Sequence, residues 1–285
     1  MDAIKESELK KLFKKRKSNS HKGQNGKVLV IAGSDEFSGA PVLVAMSALA
    51  CMRTGLDLCH VLTPEKTGFV VNTYSPDLIV HKAKGEKLTK KHLKKVLELE
   101  KQVDSIVIGP GLGREKATLS FVREVVKKTR KPIVIDADAI HAFSKTKFRK
   151  NVLVTPHATE FEILTGKKIK RKTLEQKKKL VKEAAAKHNC IILFKNPIDI
   201  ISDGEKIVLN KTGNAGMTVG GTGDVLAGLC VGFSVLSLSL FESGKAAAFV
   251  NGKIGNKLFK KKGNSFIASD FLNEIPFWIK KLQNS

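Results

Sequence analysis

The sequence predicts an α/β fold with a mostly parallel central sheet, helices on both faces and an antiparallel edge. From Lys27 onward, short continuous runs of apolar and β-branched residues alternate with segments of helical periodicity. This alternation is typical of a parallel sheet that is covered on both faces. Two later runs flank Asp203-Gly204, a dipeptide that favours a tight hairpin turn. The sheet is therefore expected to end with antiparallel strands.

The predicted strands are the short apolar runs. In chain order they are Val28–Ile31, Leu56–Leu62, Leu78–Val80, Ser105–Ile108, Ile133–Ile135, Val152–Val154, Ile191–Phe194, Ile198–Ile201 and Ile207–Leu209. Helices are predicted over Ala40–Arg53, Leu88–Leu99 and Glu115–Lys128 from their apolar periodicity. Another helix is predicted to start at Thr159, because Thr-x-x-Glu is the spacing of a capping box.

The C-terminal part of the chain is predicted to be helical. The apolar run from Val225 to Phe241 is shorter than the roughly 20 residues that span a membrane, so it is expected to be a buried core helix. Helix is then expected through Lys281, with breaks at Gly263 and Pro276.

The chain is assigned to one domain over residues 25–285, because no repeat or linker interrupts them. Residues 1–24 are assigned to a basic N-terminal leader, in which Leu9, Leu12 and Phe13 form a weak apolar face. The leader has no apolar stretch of the kind found in signal peptides. Cys51, Cys59, Cys190 and Cys230 lack metal-ligand spacing and are expected to be buried thiols of a reducing, cytoplasmic compartment.

The composition is strongly basic, with 51 Lys and Arg against 27 Asp and Glu and a net charge of +24. Such a charge suggests contact with nucleic acid, membrane or anionic substrates. The lysines nevertheless recur in short runs along the whole chain, and aromatic residues make up only 6%. A lysine-rich solvated surface is therefore favoured over a specific nucleic-acid or membrane partner.

The segment from Gly213 to Asp224 carries the main chemical signal, with five glycines in twelve residues. A glycine-rich loop that leads into a helix offers unpaired N–H groups and a positive dipole end to a phosphate. Asp224 ends this loop. It is either an N-cap or, since a carboxylate beside phosphate is otherwise unfavourable, a general base for an attacking hydroxyl.

Other motifs also follow predicted strands, at the edge where open α/β sheets bind ligands. Gly109 to Gly113 is either a tight turn or part of the site. Asp136 and Asp138 could hold Mg²⁺ through water, with Glu160 as a further candidate ligand, and helix capping is the alternative for Asp138. His157 is either a surface histidine or a site residue.

Taken together, these motifs resemble the ADP-dependent NAD(P)H-hydrate dehydratases of the ribokinase-like superfamily. The segments that carry the resemblance are His21-Lys22-Gly23, Ala32-Gly33-Ser34, Gly39-Ala40-Pro41, Gly109–Gly113, Asp136-Ala137-Asp138, Thr155-Pro156-His157, Glu160-Phe161 and Asn214–Gly228. The resemblance implies a repair enzyme that dehydrates the S epimer of hydrated NADH or NADPH. It further implies ADP as phosphoryl donor, AMP as product and Mg²⁺ as cofactor.

The resemblance also implies the site residues. Asp224 and Gly223 would be catalytic, the first as base and the second in the anion hole. Ala40, Gly111, Gly113 and His157 would bind the hydrated dinucleotide together with Asp224. The nucleotide would contact Gly223 and the segment Lys195, Asn196, Pro197, Ile198 and Asp199. The family usually has Lys-Gly where this chain has Lys195-Asn196, and Asn tolerates the left-handed backbone that such a turn needs.

The resemblance implies a homo-oligomer, commonly a tetramer, and an epimerase that is here expected to be a separate chain. A ribokinase-like kinase of a vitamin alcohol stays open as the alternative, since Asp224 and the anion hole would serve both reactions. The motifs leave open whether ADP or ATP is preferred.

Overall fold

A computed structural model gives the fold of the chain. It describes residues 3–52, 55–144, 146–149, 151–236 and 238–284, and all of their side chains except those of residues 47, 51 and 52. The predicted α/β architecture is confirmed. Within the described residues, one sheet of nine strands runs in the order β3-β2-β1-β4-β5-β6-β7-β8-β9.

The strands lie close to their predicted positions. They are β1 (Lys27–Ile31), β2 (Leu58–Pro64), β3 (Leu78–Ala83), β4 (Ser105–Ile108), β5 (Ile133–Ile135), β6 (Val152–Val154), β7 (Ile191–Phe194), β8 (Asp199–Ser202) and β9 (Ile207–Asn210). Strands β1 to β7 pair in parallel. Strands β8 and β9 pair antiparallel, as the Asp203-Gly204 turn predicts.

Helices cover both faces of this sheet. They are α1 (Glu6–Lys10), α2 (Gly39–Met52), α3 (Glu65–Tyr74), α4 (Leu93–Glu100), α5 (Lys116–Lys128), α6 (Ala158–Thr165), α7 (Leu174–His188), α8 (Thr222–Ser234), α9 (Leu240–Lys262) and α10 (Ala268–Gln283). Val28 and Val30 of β1 pack into one core with α2, α8, α9 and α10, whereas Leu29 packs on the opposite face with α4 to α7. Because both faces are buried, the four residues of β1 that follow Lys27 are all apolar.

The predicted helix over residues 225–241 is wrong, because two helices divide this run. Helix α8 ends at Ser234 and α9 begins at Leu240. Ser239 is the N-cap of α9, and its Oγ accepts a hydrogen bond from the N–H of Glu242 at 3.2 Å. Serine favours such caps over helix interiors, so the chain breaks here although its hydrophobicity is continuous.

The predicted break at Pro276 is also wrong, whereas the predicted break at Gly263 is confirmed. Pro276 lies inside α10, where it removes one backbone donor at a cost of roughly 3 kcal/mol. Phe271, Ile275 and Ile279 of the same helix are fully buried. Each contributes about 1.5–3 kcal/mol by leaving water, so the packing outweighs the loss.

The leader packs against the rest of the chain. Ala3 pairs with Leu209, and the N–H of Ile4 donates to the Leu209 carbonyl at 3.0 Å. Leu9 and Phe13 are buried, and the Phe13 ring lies edge-on to Phe233 at 5.0 Å between centroids. A guanidinium Nη of Arg16 binds the buried carboxylate of Asp57 at 2.6 Å.

Cys59, Cys190 and Cys230 are buried, as predicted, whereas the Cys51 side chain lies outside the described part. Among the described helices, none is both long and apolar enough to cross a membrane.

Candidate active site

The predicted site segments meet at one edge of the sheet. Strands β1, β4, β5, β6 and β7 are consecutive neighbours and all parallel, so the loops that follow them emerge side by side. The chain order reverses between β1 and β4. Open α/β sheets bind ligands at such a switch point.

The glycine-rich loop leads into α8 as predicted, but Asp224 is not the N-cap. Helix α8 begins at Thr222, and its N-cap is Gly221 with a φ of +93°. A Cβ at position 221 would also lie only 2.8 Å from side chains of Leu43 and Ala268, so glycine is required there. Asp224 therefore lies in the first helical turn, and the capping interpretation is wrong.

Met217 anchors the loop on helix α9. Its sulfur and methylene groups fill the space that a side chain at Gly255 would occupy. The hydroxyl of Thr222 donates to the Met217 carbonyl at 2.9 Å, which ties the start of α8 to this anchor. The Gly-Asn-Ala-Gly-Met segment thus fixes where the first turn of α8 lies.

Asp224 has the electrostatics of a proton acceptor. Burial, reinforced by the nearby carboxylate of Asp136, raises its pKa to about 7, although the ammonium of Lys195 opposes the shift. Among the described residues, Asp224 has no ion pair within 4.0 Å. A carboxyl that titrates near neutrality and is not held by a partner suits general-base catalysis.

Lys195 links three parts of the site. Its Nζ lies 2.8 Å from Oδ1 of Asp136 and 3.7 Å from Oε2 of Glu160. A Cβ on Gly223 would lie 3.6 Å from the same Nζ. Burial alone would lower the lysine pKa, but the carboxylates of Asp136 and Glu160 hold it above its usual value. Lys195 is therefore a fixed cation beside the first turn of α8.

The sequence predicts that Lys195 contacts the nucleotide, but it does not predict the position of Lys195 between Asp136 and Glu160. The available signal was a lysine that directly follows an apolar strand at the ligand-binding edge. Its partner Asp136 lies 59 residues earlier in the chain, so only the strand order brings the two together.

The acidic turn after β5 has a strained backbone. Asp136 is 1% exposed, and its Oδ1 also accepts a hydrogen bond from the Thr155 hydroxyl at 2.6 Å. Ala137 has a φ of +50°, which is uncommon for a residue other than glycine. Such strain tends to occur at functional sites, and here it sits between the two aspartates.

Asp138 points to a different set of partners. Its carboxylate accepts hydrogen bonds from the N–H of Gly113 at 3.0 Å and from Nε of Arg114 at 2.7 Å. The N-cap of the adjoining 3₁₀ helix, Ala137–Ala142, is Asp136, and its side chain forms no capping bond. Asp138 thus holds the glycine turn that follows β4 and does not cap a helix.

These carboxylates do not fit a Mg²⁺ site built from protein ligands alone. Asp136 and Glu160 face the Lys195 ammonium, and Asp138 faces Arg114. Within the described residues, no group of three or more His, Cys, Asp and Glu side chains is arranged to hold a metal. Coordination through water, as the sequence suggests, stays a prediction.

His157 is fixed in place by the helix that follows it. It is the N-cap of α6, and its Nδ1 accepts bonds from the N–H groups of Thr159 and Glu160 at 3.1 and 3.3 Å. The predicted helix is present, but it begins at Ala158 and its N-cap is His157 instead of Thr159. Half of the His157 side chain remains exposed at this edge, and its contact with substrate stays a prediction.

Ala40 and Gly111 lie together at the switch point. Gly111 has a φ of +65°, and a Cβ on it would lie 3.1 Å from the Cβ of Ala40 and 3.0 Å from the Phe37 carbonyl oxygen. Gly113 follows two residues later, where it binds Asp138. The structure thus gathers three of the predicted dinucleotide positions, although their role stays a prediction.

The predicted nucleotide segment forms a hydrogen-bonded turn. Asp199 accepts bonds from the N–H of Asn196 and from Nδ2 of Asn210, both at 3.0 Å, while burial raises its pKa to about 6. Asn196 also accepts a bond from Nζ of Lys177 at 3.1 Å. The backbone of Asn196 does not adopt the left-handed conformation, so this turn does not depend on the tolerance of asparagine for that conformation. Pro197 is exposed and Ile198 is partly buried.

A histidine pair lies outside this site. His60 and His81 stack at 5.3 Å between ring centroids, with Nδ1 of the first 3.0 Å from Nε2 of the second. They occupy the neighbouring strands β2 and β3, and sequence spacing gave no indication of the pair.

Known proteins resemble the chain over nearly its whole length. A family model described as NAD(P)H-hydrate dehydratase matches residues 28–276. The chain is 40% identical over 268 residues to the bifunctional NAD(P)H-hydrate repair enzyme Nnr of Pyrobaculum aerophilum, covering 93% of this chain and 53% of that protein. It is 38% identical over 271 residues to the ADP-dependent (S)-NAD(P)H-hydrate dehydratase of Nitrosopumilus maritimus, covering 94% and 93%.

A solved structure agrees with these relatives. The ADP/ATP-dependent NAD(P)H-hydrate dehydratase from Bacillus subtilis, co-crystallised with ATP and Mg²⁺, superposes with a TM-score of 0.85 at 26% identity, covering 99% of this chain and 98% of that one. The chain spans about half the length of the bifunctional relatives it matches. The match over residues 28–276, and the similarity along almost the full length of the single-function relative, show that the chain belongs to the NAD(P)H-hydrate dehydratase family of the ribokinase-like fold.

Proposed function

We propose that the chain dehydrates the S epimer of hydrated NADH or NADPH and converts ADP to AMP and phosphate. The observation that carries the proposal is Asp224, a carboxyl with a pKa of about 7 in the first turn of α8, beside the Lys195 cation. The names of the relatives supply the substrate class.

In the proposed first step, Asp224 accepts the proton of the ring hydroxyl while that oxygen attacks the β-phosphorus of ADP. The new O–P bond forms as the bond to the bridging oxygen breaks, and AMP leaves. The N–H groups around Gly223 and the positive end of α8 stabilise the charge on the transferring phosphoryl group. Lys195 contributes a fixed positive charge nearby.

In the second step, the phosphorylated oxygen leaves as inorganic phosphate. The ring nitrogen donates its electron pair, the C–O bond breaks, and loss of a ring proton restores the double bond. Phosphate is a far better leaving group than hydroxide, so the transfer converts an unfavourable elimination into a feasible one.

The proposal extends to cofactor, location and assembly. Mg²⁺ would arrive bound to the nucleotide phosphates and keep most of its water ligands, in keeping with the ATP and Mg²⁺ used to crystallise the Bacillus subtilis enzyme. ATP would bind where ADP binds. A cytoplasmic homotetramer that works with an epimerase completes the proposal.

The direct test supplies the purified S hydrate with ADP or ATP and follows the return of reduced-nicotinamide absorbance. Recovery that needs nucleotide and releases stoichiometric phosphate supports the proposal. No recovery with either nucleotide, together with a stable phosphorylated product from a thiazole or hydroxymethylpyrimidine alcohol, would establish the alternative vitamin kinase instead.

A further inference from the structure

Phe37 is an aromatic side chain that the proposed mechanism leaves without a role. It is 46% exposed, whereas eleven of the fifteen phenylalanines are buried. The other exposed phenylalanines are Phe69, Phe259 and Phe277. Lysine ammonium groups cover Phe69 and Phe277, but within the described residues the Phe37 ring has neither an aromatic nor a cationic partner.

The loop that carries Phe37 is held in a defined position. The carbonyl of Ser34 holds this loop, because it accepts hydrogen bonds from the Thr67 hydroxyl at 2.8 Å and from the Phe37 N–H at 3.1 Å. The N–H of Gly33 donates to the carbonyl of Pro110 at 2.8 Å, and that of Asp35 donates to Glu86 at 3.0 Å. The exposed ring is therefore presented by a short, hydrogen-bonded turn between β1 and α2.

Phe37 lies next to the predicted dinucleotide positions. A Cβ on Gly111 would lie 3.1 Å from the Cβ atoms of both Phe37 and Ala40. These residues follow β1 and β4, whereas Lys195 follows β7, and β5 and β6 lie between. Phe37 is thus on the side of the site away from the cation at the first turn of α8.

We propose that Phe37 stacks on a planar heteroaromatic ring of the hydrated dinucleotide and holds the part of the substrate farther from Asp224. The inference rests on the proposed function for the identity of the substrate. A nucleotide base that stacks on an exposed aromatic ring is attracted to the ring and excludes water from it. Substitution of such a ring by alanine weakens binding about tenfold to a hundredfold.

The test compares Phe37→Ala, Phe37→Tyr and the control Phe259→Ala, which removes another exposed ring, here on α9. We expect Phe37→Ala to raise KM for the hydrate about tenfold or more and to leave KM for ADP unchanged. Phe37→Tyr should behave like the natural protein, as should Phe259→Ala. Circular dichroism of each variant verifies folding.

Three results would overturn the assignment. The first is an unchanged KM for the hydrate in Phe37→Ala, and the second is a rise in the KM for ADP as large as that for the hydrate. The third is a change in the sedimentation of Phe37→Ala, which would mean that the ring contacts a second copy of the chain. If the natural protein fails to dehydrate the hydrate, the proposed function falls. Calorimetric titration with NADPH then tests the role of Phe37 independently of turnover. The role is refuted if the natural protein does not bind NADPH, or if Phe37→Ala binds NADPH as tightly as the natural protein does.

Discussion

Asp224 lies in surroundings that favour its neutral form more than water does. The Asp224→Asn substitution removes the proton acceptor but keeps the size of the side chain. We expect kcat to fall about 10²- to 10⁴-fold, the usual contribution of general-base catalysis, while the Kd for ADP stays within about threefold. Steady-state kinetics and calorimetric titration measure the two effects.

The matched control for this substitution is Asp203→Asn. Asp203 lies in the hairpin turn between β8 and β9, where Asn-Gly forms a similarly good turn. The control should retain the natural rate. A near-natural kcat in Asp224→Asn would show that another group accepts the proton.

The pH dependence of the rate follows from the same carboxyl. Because the ionised form is the active base and its pKa is about 7, kcat/KM should rise as pH increases through about 7. The neighbouring charge of Asp136 contributes to the raised pKa, so Asp136→Asn should move the midpoint to lower pH. A midpoint that does not move, measured by a full pH profile, would contradict the coupling between the two carboxyls.

At the scale of elements, helix α10 tolerates Pro276 because the buried face of the helix packs against the core and keeps the helix in place. Pro276→Ala restores a backbone donor toward the carbonyl of Leu272. We expect the free energy of unfolding to rise by about 1 kcal/mol or more, since proline is the least favourable residue in a helix interior. Urea unfolding measures the change.

Asn273→Ala is the control for α10, because this exposed position changes helix propensity without restoring a hydrogen bond. It should stabilise the protein by only a few tenths of a kcal/mol. Equal effects of the two substitutions would mean that the helix has already adapted to the missing donor.

The strands of this protein could be predicted from sequence more fully than its helices. Each of the nine strands in the described residues coincides with a mostly apolar run, since both faces of the sheet are covered. Helix α7 was missed because its lysine-rich sequence reads as a solvated charge run, although Thr173 caps it and Val181 is buried. Helix α3 was missed because Gly68 and its β-branched residues are poor helix formers.

The candidate site could be predicted as far as its strand ends. The motifs that contain Gly111, Asp136, His157 and Asp224 all follow elements whose positions the sequence indicates. The contacts of Lys195 with Asp136 and Glu160 could not be predicted, because they depend on the lateral order of β5, β6 and β7. Hydrogen bonds such as that of Asp138 to Gly113 likewise become visible only after the loops are packed.

At the scale of the whole molecule, the stacked pair of His60 and His81 makes the fold sensitive to acid. Burial lowers the pKa of His81 to about 4, with smaller contributions from the neighbouring His60 and Lys95. Burial also lowers the pKa of His60, together with the charge of Lys27. Neutral imidazoles are therefore favoured in the folded state. Their contribution to stability is full above the unfolded pKa of about 6.5 and is lost as the pH falls toward 4.

We expect the natural protein to lose stability over this pH interval more steeply than His81→Gln, which cannot take up the proton. His21→Gln, at an exposed histidine of the leader, should retain the natural slope. Thermal unfolding at a series of pH values measures all three. Identical slopes for the natural protein and His81→Gln would show that carboxylates alone account for the acid response.

The packed leader has a consequence for digestion by trypsin. Lys14, Lys15 and Lys17 are exposed and lie outside the described helices, so the protease can reach this stretch while the rest stays folded. Cleavage there would not release the first segment, because Leu9 and Phe13 are buried and Ile4 is hydrogen-bonded to β9. The nicked protein should migrate as one particle on a native gel and separate into two fragments only in denaturant.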